Sequence, residues 1–217
     1  MSRFRTFTVV ACVLSVALGA VAVSELDAGA ATKSSTTTTK VKAAGISLAY
    51  PDEWTVVPLT KQALRTMRKR LDKTNPQLGD ALEFVGTTGI AAATKLFAID
   101  LEASASGAFA NNVNIIVVKN SPMPTSVDAF SAAVSSYYAQ LDATLERAEE
   151  LEIDGKTAYR ADATYALQRS DGGEVMVHLA QMVIAHGRSS DVITVTTKDD
   201  VADRSIADDV FGSVRYL

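Results

Sequence analysis

"GISLAYPDEWTVVP", residues 45–58, sets the architecture. Ile46, Leu48 and Tyr50 share one parity, the period-two pattern of a strand with one face in a core. Pro51 fixes φ at the first corner of a turn, Asp52 and Glu53 keep that corner in water, and Trp54 starts a return strand. The segment is expected to be a β-hairpin that opens a domain, with the tryptophan closing one end of the core. It is scaffold rather than a site.

Downstream, Thr60 is positioned to cap a helix whose Ala63, Leu64, Met67 and Leu71 form an apolar stripe. Asn75-Pro76 ends it and starts a second helical stretch over 76–86, with Leu78, Leu82 and Val85 inward. Ala91–Ala93 fits helix or loop. Strands follow in KLFAIDLEA (95–103) and NVNIIVVK (112–119), the second apolar on both faces. Thr125-Ser126 caps a helix over 126–143 that turns Phe130, Ala133, Val134, Tyr137 and Leu141 inward. The second half is a meander, with strands near 145–153, 157–167, 174–185 and 191–197. Asp154-Gly155, Ser170–Gly173 and His186-Gly187-Arg188 form its turns. A last helix over 199–211 carries Val201, Ile206, Val210 and Phe211 inward, and Val214–Leu217 adds a short extension. Adjacent strands with short turns mean an antiparallel sheet, and its two-faced strands require helices on both sides. The fold class is α+β, an α/β/α sandwich around a mainly antiparallel sheet.

Upstream of the hairpin the chain changes character. Arg3 and Arg5 precede an uncharged apolar run, Phe7–Val23, and Ala28-Gly29-Ala30 supplies small residues for cleavage before Ala31. Residues 1–30 are a signal peptide or, at the lower length limit for a bilayer span, a retained N-terminal anchor. Residues 31–43, rich in Ser and Thr, are expected to be a flexible tether, and 44–217 a single domain. Cys12 is the only cysteine, so a cleaved chain has no thiol for a disulfide, a thiolate metal site or a nucleophile.

Ile46–Trp54, the Asp154-Gly155 turn, Val192–Thr196 and Val214-Arg215-Tyr216 together resemble the LpqN/LpqT-type extracytoplasmic lipoproteins of actinobacteria. These belong to the PsbP-like fold group, with the PsbP extrinsic protein of photosystem II and a Ran-binding nuclear transport factor. The resemblance spans roughly 45–217. It implies a typically non-enzymatic domain that docks on partner proteins or holds an apolar or glycolipid ligand. The acylated cysteine of the lipoprotein members has no counterpart at the start of this domain.

Chemistry-bearing motifs are sparse. His178 and His186 lie eight residues apart on one strand, too far for a shared metal; His178 reads as a hydrogen-bonded sheet residue and His186 as a solvent-exposed turn residue. There is no nucleophile elbow, phosphate loop or His-Glu-x-x-His pattern. Glu149-Glu150, Asp199-Asp200 and Asp208-Asp209 lack the alternation of a calcium loop. No catalytic, cofactor-binding or metal-ligating residue is assigned, and no cofactor is expected. The basic helix is the most informative feature. Lys61, Arg65, Arg68, Lys69, Arg70 and Lys73 stand against Asp72 alone in a chain of net charge −4. They form either a solvated face or an anion-facing surface for lipid headgroups, wall phosphates or a partner's acidic patch. A nucleic-acid partner does not fit an exported, net acidic chain. Met176, Met182 and Ile184 share one parity, and such a face suits either core or an adaptable apolar ligand pocket. Segments 86–94 and 104–112, low in bulk, are candidate lips for that pocket.

These features describe a secreted or surface-tethered, non-catalytic envelope domain that binds a hydrophobic or glycolipid ligand or a protein partner. The alternative is a carboxylate-dependent hydrolase or transferase acting on envelope lipid or glycan.

Overall fold

A computed structural model describes residues 35–71, 90–106, 109–121, 123–168 and 173–217. Its frame is a seven-stranded antiparallel sheet. The strands are β3 (Thr55–Val56), β4 (Thr94–Ile99), β5 (Asn112–Val118), β6 (Thr144–Ile153), β7 (Lys156–Gln168), β8 (Glu174–His186) and β9 (Ser189–Lys198), in the order β3-β4-β5-β9-β8-β7-β6. A second sheet of three strands, in the order β1-β2-β10, comprises β1 (Thr36–Val41), β2 (Ile46–Pro51) and β10 (Arg215–Tyr216). The helices are α1 (Lys61–Leu71), the single turn α2 (Ile90–Ala93), α3 (Leu101–Ser106), α4 (Val127–Tyr138) and α5 (Val201–Gly212). The expected helix over 76–86 lies outside the described residues.

The meander follows its turn chemistry. Asp154 and Gly155 both take positive φ, 49° and 76°, the pair that a two-residue hairpin with right-handed strand twist requires. Gly187, φ 58°, makes the next reversal. Because β8 is flanked on both sides, its odd residues Val177, Leu179 and Val183 enter one core, while Ala180, Met182 and Ile184 enter the other. The first core lies under α4 and α1, with Phe130 stacked on Tyr159 at 5.4 Å and the Tyr138 hydroxyl donating to Gln181 Oε1 at 2.8 Å. The second lies under α5 and the small sheet. The architecture is therefore α+β with helices on both faces, and on one face the helix shares its layer with three strands.

Several expectations change in three dimensions. The opening stretch is a corner, not a hairpin. Trp54 N–H donates to Pro51 O at 3.1 Å, but β2 pairs with β1 and β10, whereas β3 pairs with β4 in the other sheet. Thr36–Val41, expected within a flexible tether, is strand β1 in register with Pro51 through Ile46. Its β-branched residues favour a pleated strand, and Thr39 Oγ1 meets the Tyr50 hydroxyl at 3.0 Å. The strand expected over 95–103 stops at Ile99 because Asp100 Oδ1 accepts from Ala103 N–H at 2.9 Å and starts α3. Val201, expected inward, is 90% exposed. Nine residues from Val210 is two and a half helical turns, which puts it on the opposite face.

Trp54 sits where the chain crosses from one sheet to the other and is buried in the second core. Trp54→Ala is expected to destabilise the fold by about 3–5 kcal/mol, read as a lowered midpoint in urea with an unchanged slope.

Candidate functional site

Strand β7 carries the main surprise. Its odd residues Tyr159, Ala161, Ala163 and Tyr165 are core, and its even residues Arg160, Asp162 and Thr164 are also buried. Register places them beside Met182, Ala180 and His178 of β8, beneath α5. Asp162 accepts from Arg160 through Nε and NH2, both at 2.8 Å, from Arg147 Nε at 2.9 Å and from His178 Nε2 at 3.0 Å. An ionised carboxylate only accepts, so His178 carries its proton on Nε2, and its Nδ1 is buried without a partner. Burial alone would raise the Asp162 carboxyl. The bonds from His178, Arg160 and Arg147 outweigh it and hold the group well below the usual carboxylate range.

The network continues outward onto α5. Arg160 NH1 reaches Asp208 at 2.7 Å and its guanidinium lies 5.0 Å over the Phe211 ring. Arg204 of α5 grips Glu146 through NH1 at 2.8 Å and NH2 at 3.1 Å, and also pairs with Asp199. Thr164 Oγ1 donates to the same Glu146 at 3.1 Å. The hydrogen bonds from Arg204 hold Glu146 below its ordinary value against burial.

Beside this cluster a groove of about 520 Å³ runs between α5 and strands β6–β8. Met182 and Phe211 form its apolar floor; Arg160, Arg215, Glu152, Asp154 and Asp208 line it with donors and acceptors. Two of these are fixed by backbone: Arg215 NH1 donates to Gly212 O at 3.0 Å, and Asp154 Oδ2 accepts from Tyr216 N–H at 2.8 Å.

The residues singled out in the sequence divide. Of the methionine face, Met182 lines the groove, Ile184 is core and Met176 is half exposed elsewhere on β8. The described parts of the two candidate lips, 90–94, 104–106 and 109–112, are helical or buried, and none lines this groove. His186 is not simply solvent-exposed. Its Nδ1 lies 3.1 Å from Oδ1 of the fully buried Asp191, whose carboxyl burial pushes up to about 6 with only His186 opposing. Arg160, Asp162, Asp208, Phe211 and Arg215 were not legible as a group. The signal was the register, which sets a polar face of β7 against an apolar face of β8.

On the opposite face, Lys61, Arg65 and Lys69 of α1 are exposed and line a second groove of about 470 Å³ with Gln62 and Thr66. None of the three has an ion pair among the described residues, whereas Arg68 is half-buried and does have a partner. They recur every four residues, where like charges repel by about 0.2–0.5 kcal/mol per pair. The Arg70 side chain and Lys73 lie outside the described part of the structure. Among the described residues no group of three or more His, Cys, Asp or Glu is arranged to hold a metal, and no helix is long and apolar enough to cross a membrane.

No family model matches the chain, and no curated protein does. Solved structures do. The solution structure of cyanobacterial PsbP from Synechocystis sp. PCC 6803 superposes with a TM-score of 0.55 at 14% identity, over 89% of this chain and 98% of that one. The Ran-binding protein Mog1p of Saccharomyces cerevisiae gives 0.47 at 6% identity, covering 85% and 96%. LpqN of Mycobacterium tuberculosis, described as involved in cell envelope biogenesis, gives 0.41 at 12% identity, covering 85% of each chain. The first likeness shows that the fold is PsbP-like.

Asp162→Asn leaves the buried Arg160 with only the exposed Asp208 as counter-charge and is expected to cost about 3 kcal/mol in chemical unfolding. Because the folded carboxyl titrates below the unfolded one, its stabilisation is complete above the unfolded value and is lost as pH falls through the folded value. The wild-type protein therefore loses stability below about pH 4, and this part of the loss is absent in Asp162→Asn. Asp191 works in the opposite sense. Its contribution is present below its unfolded value and is lost as pH rises to about 6, so Asp191→Asn flattens stability between about pH 4 and 6.

Proposed function

We propose that the chain is a non-catalytic, extracytoplasmic binding domain of the cell envelope, of the LpqN/LpqT type, with its ligand seat in the groove beside α5. The observation that carries the reading is the make-up of that groove. Guanidinium donors and carboxylate acceptors surround a floor of Met182 and Phe211. Such a lining suits a ligand with hydroxyls at one end and hydrocarbon at the other, and its volume is that of a small-ligand site. A glycolipid has this chemistry. The leader pattern of residues 1–30 supports an extracytoplasmic location.

Hydrolysis by a carboxylate pair draws little support. Asp162 is kept ionised, the wrong state for a general acid. Of the raised carboxyls, Asp191 lies near the start of β9 and Asp203 sits beside Lys198 at its far end, a strand length of about 23 Å, far beyond the roughly 5–9.5 Å of glycosidase pairs.

Native mass spectrometry of residues 31–217, exported from an actinobacterial host, tests the reading. The expected result is an adduct of lipid or glycolipid mass that leaves on denaturation. Its occupancy is expected to fall about tenfold in the doubly substituted Glu152→Gln/Arg215→Gln protein, as two charge-assisted hydrogen bonds become neutral ones at about 0.7 kcal/mol each. A clean apo mass, or an adduct indifferent to the substitutions, contradicts it.

A further inference from the structure

We infer that the exposed stripe of α1 is a docking surface for anionic phospholipid headgroups, which sets the domain against the membrane. Lys61, Arg65 and Lys69 stand four residues apart along one line of the helix, and among the described residues no acid joins them around their groove. Acids are not scarce in this protein. On the opposite face Arg147, Arg160 and Arg204 each pair with carboxylates. Among the described residues the α1 stripe has no counter-charge, and it begins in a first helical turn that holds no acid, where the helix dipole disfavours a cation. A face that only needed solvation would mix both signs. Arranged in this way, the cations complement a surface of negative charge.

The path of the chain selects the membrane as that surface. Ser35, the first described residue, is held at the corner: its carbonyl accepts from Asp52 N–H at 3.1 Å and its hydroxyl bonds Oδ2 of the same residue. Val57 N–H is fixed to Phe97 O at the β3 edge of the large sheet, five residues after Asp52 and four before Lys61. Chain entry, tied to Asp52, therefore lies within about 30 Å of this edge and of the first turn of α1, nine residues further on. Only 11 residues, 24–34, separate Ser35 from the apolar run that ends at Val23, a reach of at most about 40 Å. A retained run holds this edge beside the headgroups; a cleaved one leaves the stripe as the membrane contact. The groove beside α5 lies on the other face of the sheet and stays open to ligand.

Co-sedimentation of residues 31–217 with vesicles tests this. Phosphatidylglycerol vesicles are expected to retain the protein and pure phosphatidylcholine vesicles to release it, with retention falling as salt rises. The triple variant K61E/R65E/K69E is expected to lose roughly 100-fold in partitioning, at about fivefold per cation. The dipole favours an acid at position 61 and disfavours one at position 69, so circular dichroism verifies that the variant stays folded. Equal retention of wild type and variant, or no retention of folded wild type, overturns the inference. So does capture by polyglutamate with the vesicles left bare, which assigns the stripe to an acidic protein. Because the substitutions lie across the sheet from the α5 groove, loss of vesicle binding leaves the ligand adduct intact, and the two readings fail separately.

Discussion

A sheet that is apolar on both faces cannot be left open to water on either. This constraint governs the rest of the molecule. In β4, Phe97 and Ile99 face one core while Leu96 and Ala98 face the other, and β5, β8 and β9 divide in the same way. Fully burying one such side chain contributes about 1.5–3 kcal/mol, so two covering layers are needed for the sheet to hold. The layer on one face is aromatic and helical, with Phe130, Tyr137 and Tyr138 of α4 packed on it. The other is assembled from α5 and the small sheet, joined where Ser213 Oγ accepts from Ala49 N–H at 2.7 Å. The corner at Pro51–Trp54 links the two sheets covalently, which is why one tryptophan can matter to both.

The layers differ in what they close over. Beneath α5 the sheet carries Arg160, Asp162 and His178 in a cluster in which the carboxylate accepts from both of the other side chains. Burying such charges is weak evidence for net stability, since desolvation offsets most of the attraction. What the cluster does supply is geometry. It fixes Arg160 against Phe211 and Asp208, and so fixes the lining of the groove. A ligand entering the groove would meet guanidinium and carboxylate groups already oriented, with little side-chain entropy left to lose on binding.

The meander was legible because Asp154-Gly155 and Gly187 are strong turn signals and because two-faced apolar strands leave few places to sit in a sheet. The opening stretch was legible only in part. Alternation marks Ile46–Tyr50 as a strand with a buried face, but strand partners are long-range, and nothing local says that β2 turns to Thr36–Val41 and to the C-terminus. The threonine run misled because its composition resembles a linker; pairing with β2 makes it a strand. The groove was hidden for a related reason. Arg160 and Asp162 alternate with apolar residues just as a solvent face does, and only α5, arriving from 40 residues downstream, buries them. The basic helix stood out at once, because charge density is a local property of sequence.

The molecule is two-sided, with a charged, preset groove on the α5 face and, on α1 across the sheet, cations without counter-charge among the described residues. The proposed ligand seat is the groove beside α5. The most direct measurement is an ¹⁵N amide-shift titration of residues 31–217 with a polar-lipid extract of actinobacterial envelope. Shifts concentrated at Asp154, Met182, Phe211, Gly212 and Arg215, with the amides of α4 unmoved, are the predicted result. Shifts centred on the α4 face, or none at saturating extract, would contradict it.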